Sequence, residues 1–310
     1  MPKKSPHGDH LKQIDLQSTE SPCYARVIEE LVVHEYLAEG VSPLDPGFVL
    51  VHGAMDRSTS MGKLARLLRP YPVVTYDRRG YAGSLVKSPL TGVDDLLVPR
   101  HITDLADLIS RRPTVVFGHS LGGTIALLTA AKIKPGNLIS VVVFESPLPA
   151  NPWWPSWLAK RYELGKTYEA EHYKKRGEAF MRRMIGDSNW RRLPPSTRSA
   201  RIDEGFTLVT EGAAFASFES NFNPNEIAVP VVSAIGEHAS YRHRLGQKYI
   251  ADHVRSATTC CITGSDHSAH LTHPKALAEL CLDQIVNYTN SRDESLLRQE
   301  NFDAKGPRAN

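Results

Sequence analysis

The chain has 310 residues, 41% hydrophobic and 23% charged, enough for one large globular domain or two modest ones with a substantial core. Its net charge of +3 is mild and scattered, which argues against a nucleic-acid partner. No apolar run is long enough to span a bilayer, and none follows the basic N-terminus as a secretory signal requires. The four cysteines, Cys23, Cys260, Cys261 and Cys281, lack metal-ligand spacing and read as reduced thiols, so a cytoplasmic protein is expected.

Residues 1–21 are polar and unpatterned and read as a flexible leader. Tyr24–Ile28 and Leu31–Leu37 have the composition of two strands, followed by a Gly- and Pro-bearing turn region over 40–47. Phe48–Val51 is a buried strand ending in His52-Gly53-Ala54-Met55-Asp56, and Ser58-Thr59-Ser60 can cap a helix that runs to Leu68. Val73–Tyr76 is the next strand, with Asp77-Arg78-Arg79-Gly80 after it. A helix over 100–110 leads into Val115-Val116-Phe117, and a breaker-free helix follows from Thr124. Ser140–Phe144 is a further strand and ends in Glu145-Ser146-Pro147. Alternating buried strands and helices predict an α/β fold with a mainly parallel, doubly wound sheet.

From about 149 to 225 the strand rhythm stops. The segment is charged, helical in pattern and opens with Trp153, Trp154 and Trp157, so it reads as a helical cap inserted into the core. The core itself is expected over 22–148 and 226–290, since strands resume at Val229–Ile235 and Thr258–Thr263, each followed by a helix. The last helix is expected to close near Tyr288, with 291–310 as a flexible tail.

Between the central strand and its helix stands Gly118-His119-Ser120-Leu121-Gly122, a G-x-S-x-G pentapeptide. By itself this pattern is weak evidence, since a chain of this length shows it by chance about one time in ten. The flanking strand and helix are the context it needs. A serine on so sharp a turn is held at the carboxyl edge of a sheet and the amino end of a helix, where negative charge is favoured.

Several segments in order, His52-Gly53, Asp77-Arg78-Arg79-Gly80, Gly118 to Gly123, Gly264-Ser265-Asp266-His267 and His273-Pro274, make the chain resemble the α/β-hydrolase fold family over about residues 24–290. The resemblance implies Ser120 as nucleophile and His267 as its general base, with an oxyanion hole from the amides of Leu121 and Ala54, Met55 being the off-by-one alternative. The family's usual acid position falls on Ala239. Glu145 is the favoured replacement and Glu237 the alternative, with a water-assisted dyad or an impaired enzyme also open. Asp266 ranks low because it adjoins His267.

Met55, His119, Trp153 and Trp157 are candidate pocket residues, although elbow packing is the readier account of His119 and cap-to-core packing of at least two of the tryptophans. The three-residue spacing of His267, His270 and His273 could mimic a metal cluster, but no cysteine or carboxylate completes the set, so no metal and no cofactor are expected. Asp77, Arg78 and Arg79 read as structural. The resemblance implies a serine hydrolase acting on a small-molecule carboxylic ester or lactone. Acyltransferases, carbon–carbon bond hydrolases and perhydrolases share the frame, and Ala239 keeps a non-catalytic ligand-binding protein open. The sequence is compatible with a homodimer.

Overall fold

The computed structural model describes residues 12–13, 23–28, 30–37, 40–154, 166–216 and 223–304. Among these residues nine strands form one sheet: β1 (Lys12–Gln13), β2 (Cys23–Ile28), β3 (Leu31–Tyr36), β4 (Gly47–Val51), β5 (Val73–Tyr76), β6 (Thr114–His119), β7 (Leu138–Phe144), β8 (Val231–Gly236) and β9 (Ala257–Ile262). Their spatial order is β1-β2-β3-β5-β4-β6-β7-β8-β9. The first three strands and the β3–β5 pair are antiparallel, whereas every pairing from β5 through β4 to β9 is parallel.

The parallel strands are short, β-branched and apolar because both of their faces are covered. Successive side chains divide between two cores, as the period of two requires. Val49, Val51, Val116, Val141 and Val143 enter one. Phe48, Leu50, Val115, Phe117, Val142 and Phe144 enter the other. The helix Leu121–Lys132 lies against the first core and is buried at every residue but its last, which explains why its sequence is apolar all round.

The order β5-β4-β6 reverses direction around β4, and a crevice opens at such a point beyond the carboxyl ends of the strands. Among the described residues, the helices Ala170–Ile185, Asp187–Arg192, Pro195–Asp203 and Gly205–Ala216 lie between β7 and β8, and the first and last of them contribute side chains to the cavity at that end of the sheet.

Two expectations need adjustment. The last helix does not close near Tyr288 but runs from Pro274 to Ala304, since no Gly or Pro interrupts it in that span. Part of the expected leader, Lys12–Gln13, pairs with β2 at the sheet edge. The rest of the leader and the final residues 305–310 lie outside the described residues. Cys260, Cys261 and Cys281 are free thiols, and no helix among the described residues is long and apolar enough to cross a membrane.

Candidate active site

Ser120 sits between β6 and the helix Leu121–Lys132 with φ 51° and ψ −125°, a conformation that L-residues avoid. Glycine is obligatory on either side. A Cβ on Gly118 would collide with the backbone of Gly123, and one on Gly122 with the carbonyl of Val51. The Ser120 N–H donates to the Phe144 carbonyl at 2.9 Å, which fastens the turn to the end of β7. Gly53 approaches from β4 so closely that a Cβ there would lie 3.0 Å from Ser120 Cβ. The His52-Gly53-Ala54 loop is therefore packed directly against the serine.

Glu145 is the residue after β7 and is likewise at positive φ, 47°. Its Oε2 accepts from His267 Nδ1 at 2.7 Å and stands 3.1 Å from His243 Nδ1, while its Oε1 accepts the Gly236 N–H at 3.0 Å. Burial works against the Glu145 charge. Hydrogen bonds from His243 and His267, the His267 charge and the Gly236 amide outweigh it and hold the carboxyl well below the usual range. His243 stacks on His267 with centroids 5.0 Å apart and planes 3° from parallel, and burial keeps His243 neutral more readily than a free imidazole.

The His267 loop leaves β9 and is clamped from below by His119. The Nε2 of His119 donates to the His267 carbonyl at 2.8 Å, which leaves Nδ1 as the unprotonated nitrogen, buried and without a hydrogen-bond partner. His119 thus turns away from the cavity and positions the loop carrying His267.

Ser120, Leu121, Ala54, Glu145 and His267 all line one cavity of about 610 Å³. Leu121 opens its helix, where the first backbone N–H groups have no intrahelical acceptor. The fold therefore gathers the expected nucleophile, base, favoured acid and both amide positions on one concave surface. Glu237 stands apart: its Oε2 accepts the Gly264 N–H at 2.7 Å. Asp266 reaches the cavity wall, with Oδ1 accepting the Ser268 N–H at 2.8 Å.

Of the candidate pocket residues, Met55, His119 and Trp153 are not on this cavity wall, and His119 takes the packing role that the sequence also offered it. Met55 is buried among Tyr81, Met181 and Trp190, and Trp153 packs on Tyr249 with centroids 5.1 Å apart. Trp154 takes the place on the wall instead, since consecutive residues of this turn face opposite ways. Trp157 lies outside the described residues.

Sequence reasoning missed the brace behind the His52-Gly53-Ala54 loop. Buried Arg78 donates through Nε to the His52 carbonyl at 2.9 Å and through Nη2 to the Gly53 carbonyl at 3.2 Å. Its charge is met by Glu211 of the inserted helix Gly205–Ala216, with Nη1 to Oε1 at 2.5 Å, and Tyr81 donates to the same carboxylate at 2.6 Å. His52 is held neutral in this cluster: Nδ1 donates to the Gly53 carbonyl and Nε2 accepts the Arg78 N–H at 2.9 Å. Burial, and then the Arg78 charge, push its pKa down to about 4. The 133-residue separation of Arg78 and Glu211 left no local signal.

The carboxylate missing from the histidine spacing is supplied by the fold. Asp56 Oδ2 stands 3.4 Å from His270 Nε2, and donor atoms of Asp56, His119 and His270 lie within 4.8 Å of one another. Those of Glu145, His243 and His267 do the same. In both sets the carboxylate is paired with an imidazole, so the protonic chemistry of an acid–imidazole pair is available without further ligands.

Residues 48–280 match the alpha/beta hydrolase family, three quarters of the chain in one stretch. The chain belongs to the alpha/beta hydrolase family. Human monoglyceride lipase is 32% identical over 108 residues, covering 33% of this chain and 35% of the relative, so the chain spans about a third of the length of the curated relative it matches. Among solved structures, a thermophilic esterase from Thermogutta terrifontis superposes with a TM-score of 0.62 at 19% identity, covering 90% of this chain and 98% of that one. A bromoperoxidase from Bacillus anthracis superposes with a TM-score of 0.56 at 17% identity, covering 90% and 99%. At such identities the likeness is one of alpha/beta hydrolase fold, and proteins of different named activities share it.

Proposed function

We propose that this alpha/beta hydrolase cleaves a carboxylic ester or lactone of a small to medium, partly apolar substrate through an acyl-enzyme on Ser120. The observation that carries the reading is the 2.7 Å hydrogen bond from His267 Nδ1 to Glu145, formed at the wall of the cavity that also holds the strained Ser120. With Nδ1–H engaged by the carboxylate, the neutral His267 keeps Nε2 free as a base. Ser120 Oγ attacks the acyl carbon while His267 Nε2 takes its proton. The amides of Leu121 and Ala54 hold the oxygen that becomes an alkoxide, and the proton on His267 is returned to the leaving alcohol. Water then repeats the sequence in reverse and frees the acid.

Ala239 had left a non-catalytic protein open, and an acid on the neighbouring strand end argues against that outcome. The inserted helices act as a cap over the reacting centre. Ester chemistry is further favoured by the names of the partial relative and of the structural neighbour, a lipase and an esterase. A fluorophosphonate probe tests the assignment: it is expected to label the native protein and to leave Ser120→Ala unlabelled. Equal labelling of both proteins, or of neither, refutes the acyl-enzyme.

A further inference from the structure

The helix Ala170–Ile185 turns Arg176, Ala179, Phe180, Arg183 and Met184 toward the cavity, the i, i+3, i+4, i+7, i+8 stripe of a single helix face. On a face packed over an apolar pocket this stripe is ordinarily apolar throughout. Here it carries arginines, and from the opposite side the helix Tyr241–His253 adds Arg242.

The guanidinium carbon of Arg242 lies over the Trp154 ring, 5.0 Å from its centroid, with Nε buried and without a hydrogen-bond partner. Arg183 lies over Phe180 at 5.3 Å. Neither guanidinium forms an ion pair among the described residues, whereas the carboxylates on the same wall are engaged. Glu145 is taken by His267, His243 and Gly236, Glu211 by Arg78 and Tyr81, and Asp266 by the Ser268 N–H. Burial, and then the neighbouring positive charge of Arg183, disfavour the charged form of Arg242, and the charge of Glu145 offsets them only in part. Arg242 is half-buried and Arg183 exposed at the cavity wall, so two guanidinium groups without an ion-pair partner are open to an anion that enters the cavity.

We infer that the cavity binds an ester whose end remote from the scissile bond is a carboxylate, held by Arg242 and Arg183. A stacked guanidinium presents its N–H edge as a fork that matches a carboxylate in two parallel hydrogen bonds. Phe180, Leu208 and Phe215 line the same cavity and cover an apolar spacer between the two ends. The natural substrate class is thus a half-ester of a dicarboxylic acid, or a comparable anionic ester, and not a neutral glyceride. This inference rests on the proposed ester chemistry for the position of the reacting carbonyl.

The test compares p-nitrophenyl hexanoate with mono-p-nitrophenyl adipate, which differ by one terminal carboxylate. The native protein is expected to prefer the adipate in kcat/KM. In Arg183→Gln/Arg242→Gln the adipate-to-hexanoate ratio is expected to fall about tenfold, chiefly through KM for the anion, as the loss of a charged hydrogen bond dictates. Arg242→Lys should restore part of the ratio. A native preference for hexanoate, or a ratio unmoved by the double substitution, overturns the subsite. A second arm needs no turnover: calorimetric binding of monomethyl adipate against methyl hexanoate to Ser120→Ala, with and without the two arginines. Selective binding of the anion in a protein that hydrolyses neither p-nitrophenyl ester would remove the acyl-enzyme and keep the carboxylate site. Equal binding of both ligands would remove the site alone.

Discussion

Replacing Glu145 by Gln changes one oxygen for an amide and keeps the volume, so it isolates the role of the carboxylate. In the native site Oε1 accepts the Gly236 N–H and Oε2 receives His267 Nδ1. In Glu145→Gln the remaining side-chain oxygen must stay on Gly236, because that N–H is buried and needs an acceptor. The new NH₂ is then turned to His267, where a donor meets a donor. His267 relieves the clash by carrying its proton on Nε2, the tautomer that cannot accept from Ser120. The negative charge that offsets the forming imidazolium is lost as well. Together these effects are expected to slow acylation by about 10⁴-fold, or ~5.5 kcal/mol of barrier. Pre-steady-state release of p-nitrophenol reads acylation directly. Glu237→Gln serves as the control, since its oxygen can keep the Gly264 N–H. If Glu145→Gln stays within tenfold of the native burst rate while Glu237→Gln loses it, the acid lies on the other strand and the reasoning fails.

Two further outcomes follow from the site's strain and charge. Ser120→Gly places at φ 51° the residue type that tolerates it, so the inactive variant should gain about 1 kcal/mol of stability. A urea midpoint at or below the native value, at unchanged slope, would show that the turn is not strained. His52 and His101 are both buried with pKa values near 4 against 6.5 when unfolded, by burial first, so the unfolded chain takes up these protons sooner. Their contribution is whole above pH 6.5 and is lost as pH falls toward 4, at most ~3 kcal/mol for each group. A urea midpoint that stays flat between pH 7 and pH 4.5 contradicts this.

The parts legible in the sequence were those encoded within ten or so residues. Val115-Val116-Phe117 could only be a covered strand, the glycines at 118 and 122 could only flank a tight turn, and Glu145 follows its strand directly. What stayed hidden depends on distant segments meeting. Asp56 and His270, Arg78 and Glu211, and His243 and Glu145 are each more than 90 positions apart. Their residue types alone suggested loop packing or turn braces. The three tryptophans illustrate a different limit: composition marked the segment, yet which ring reaches the cavity was decided by the sense of one turn. The end of the last helix is illegible for a third reason: polar composition suits a frayed tail and a solvent-facing helix alike, and the absence of a helix breaker from Ser291 to Ala304 permits the helix.

The positive-φ residues show how the parts depend on one another. Met55, Ser120 and Glu145, at 56°, 51° and 47°, follow the strands β4, β6 and β7, which are neighbours in the sheet. Each conformation costs on the order of 1–3 kcal/mol and persists only where its surroundings leave no alternative. Those surroundings are the two buried cores on either face of the strands, which fix where each strand stops. Beyond that edge polar contacts take over. Arg78 holds the His52 and Gly53 carbonyls, and its partner Glu211 belongs to the inserted helices. The Met55 carbonyl is held in turn by Arg201 of the same insertion. The loop carrying the Ala54 amide is therefore fixed from one side by the sheet and from the other by the segment that shapes the pocket. The proposed oxyanion donor Ala54 and the cavity wall contributed by the inserted helices are thus tied to one set of contacts, Arg78–Glu211 and Arg201–Met55.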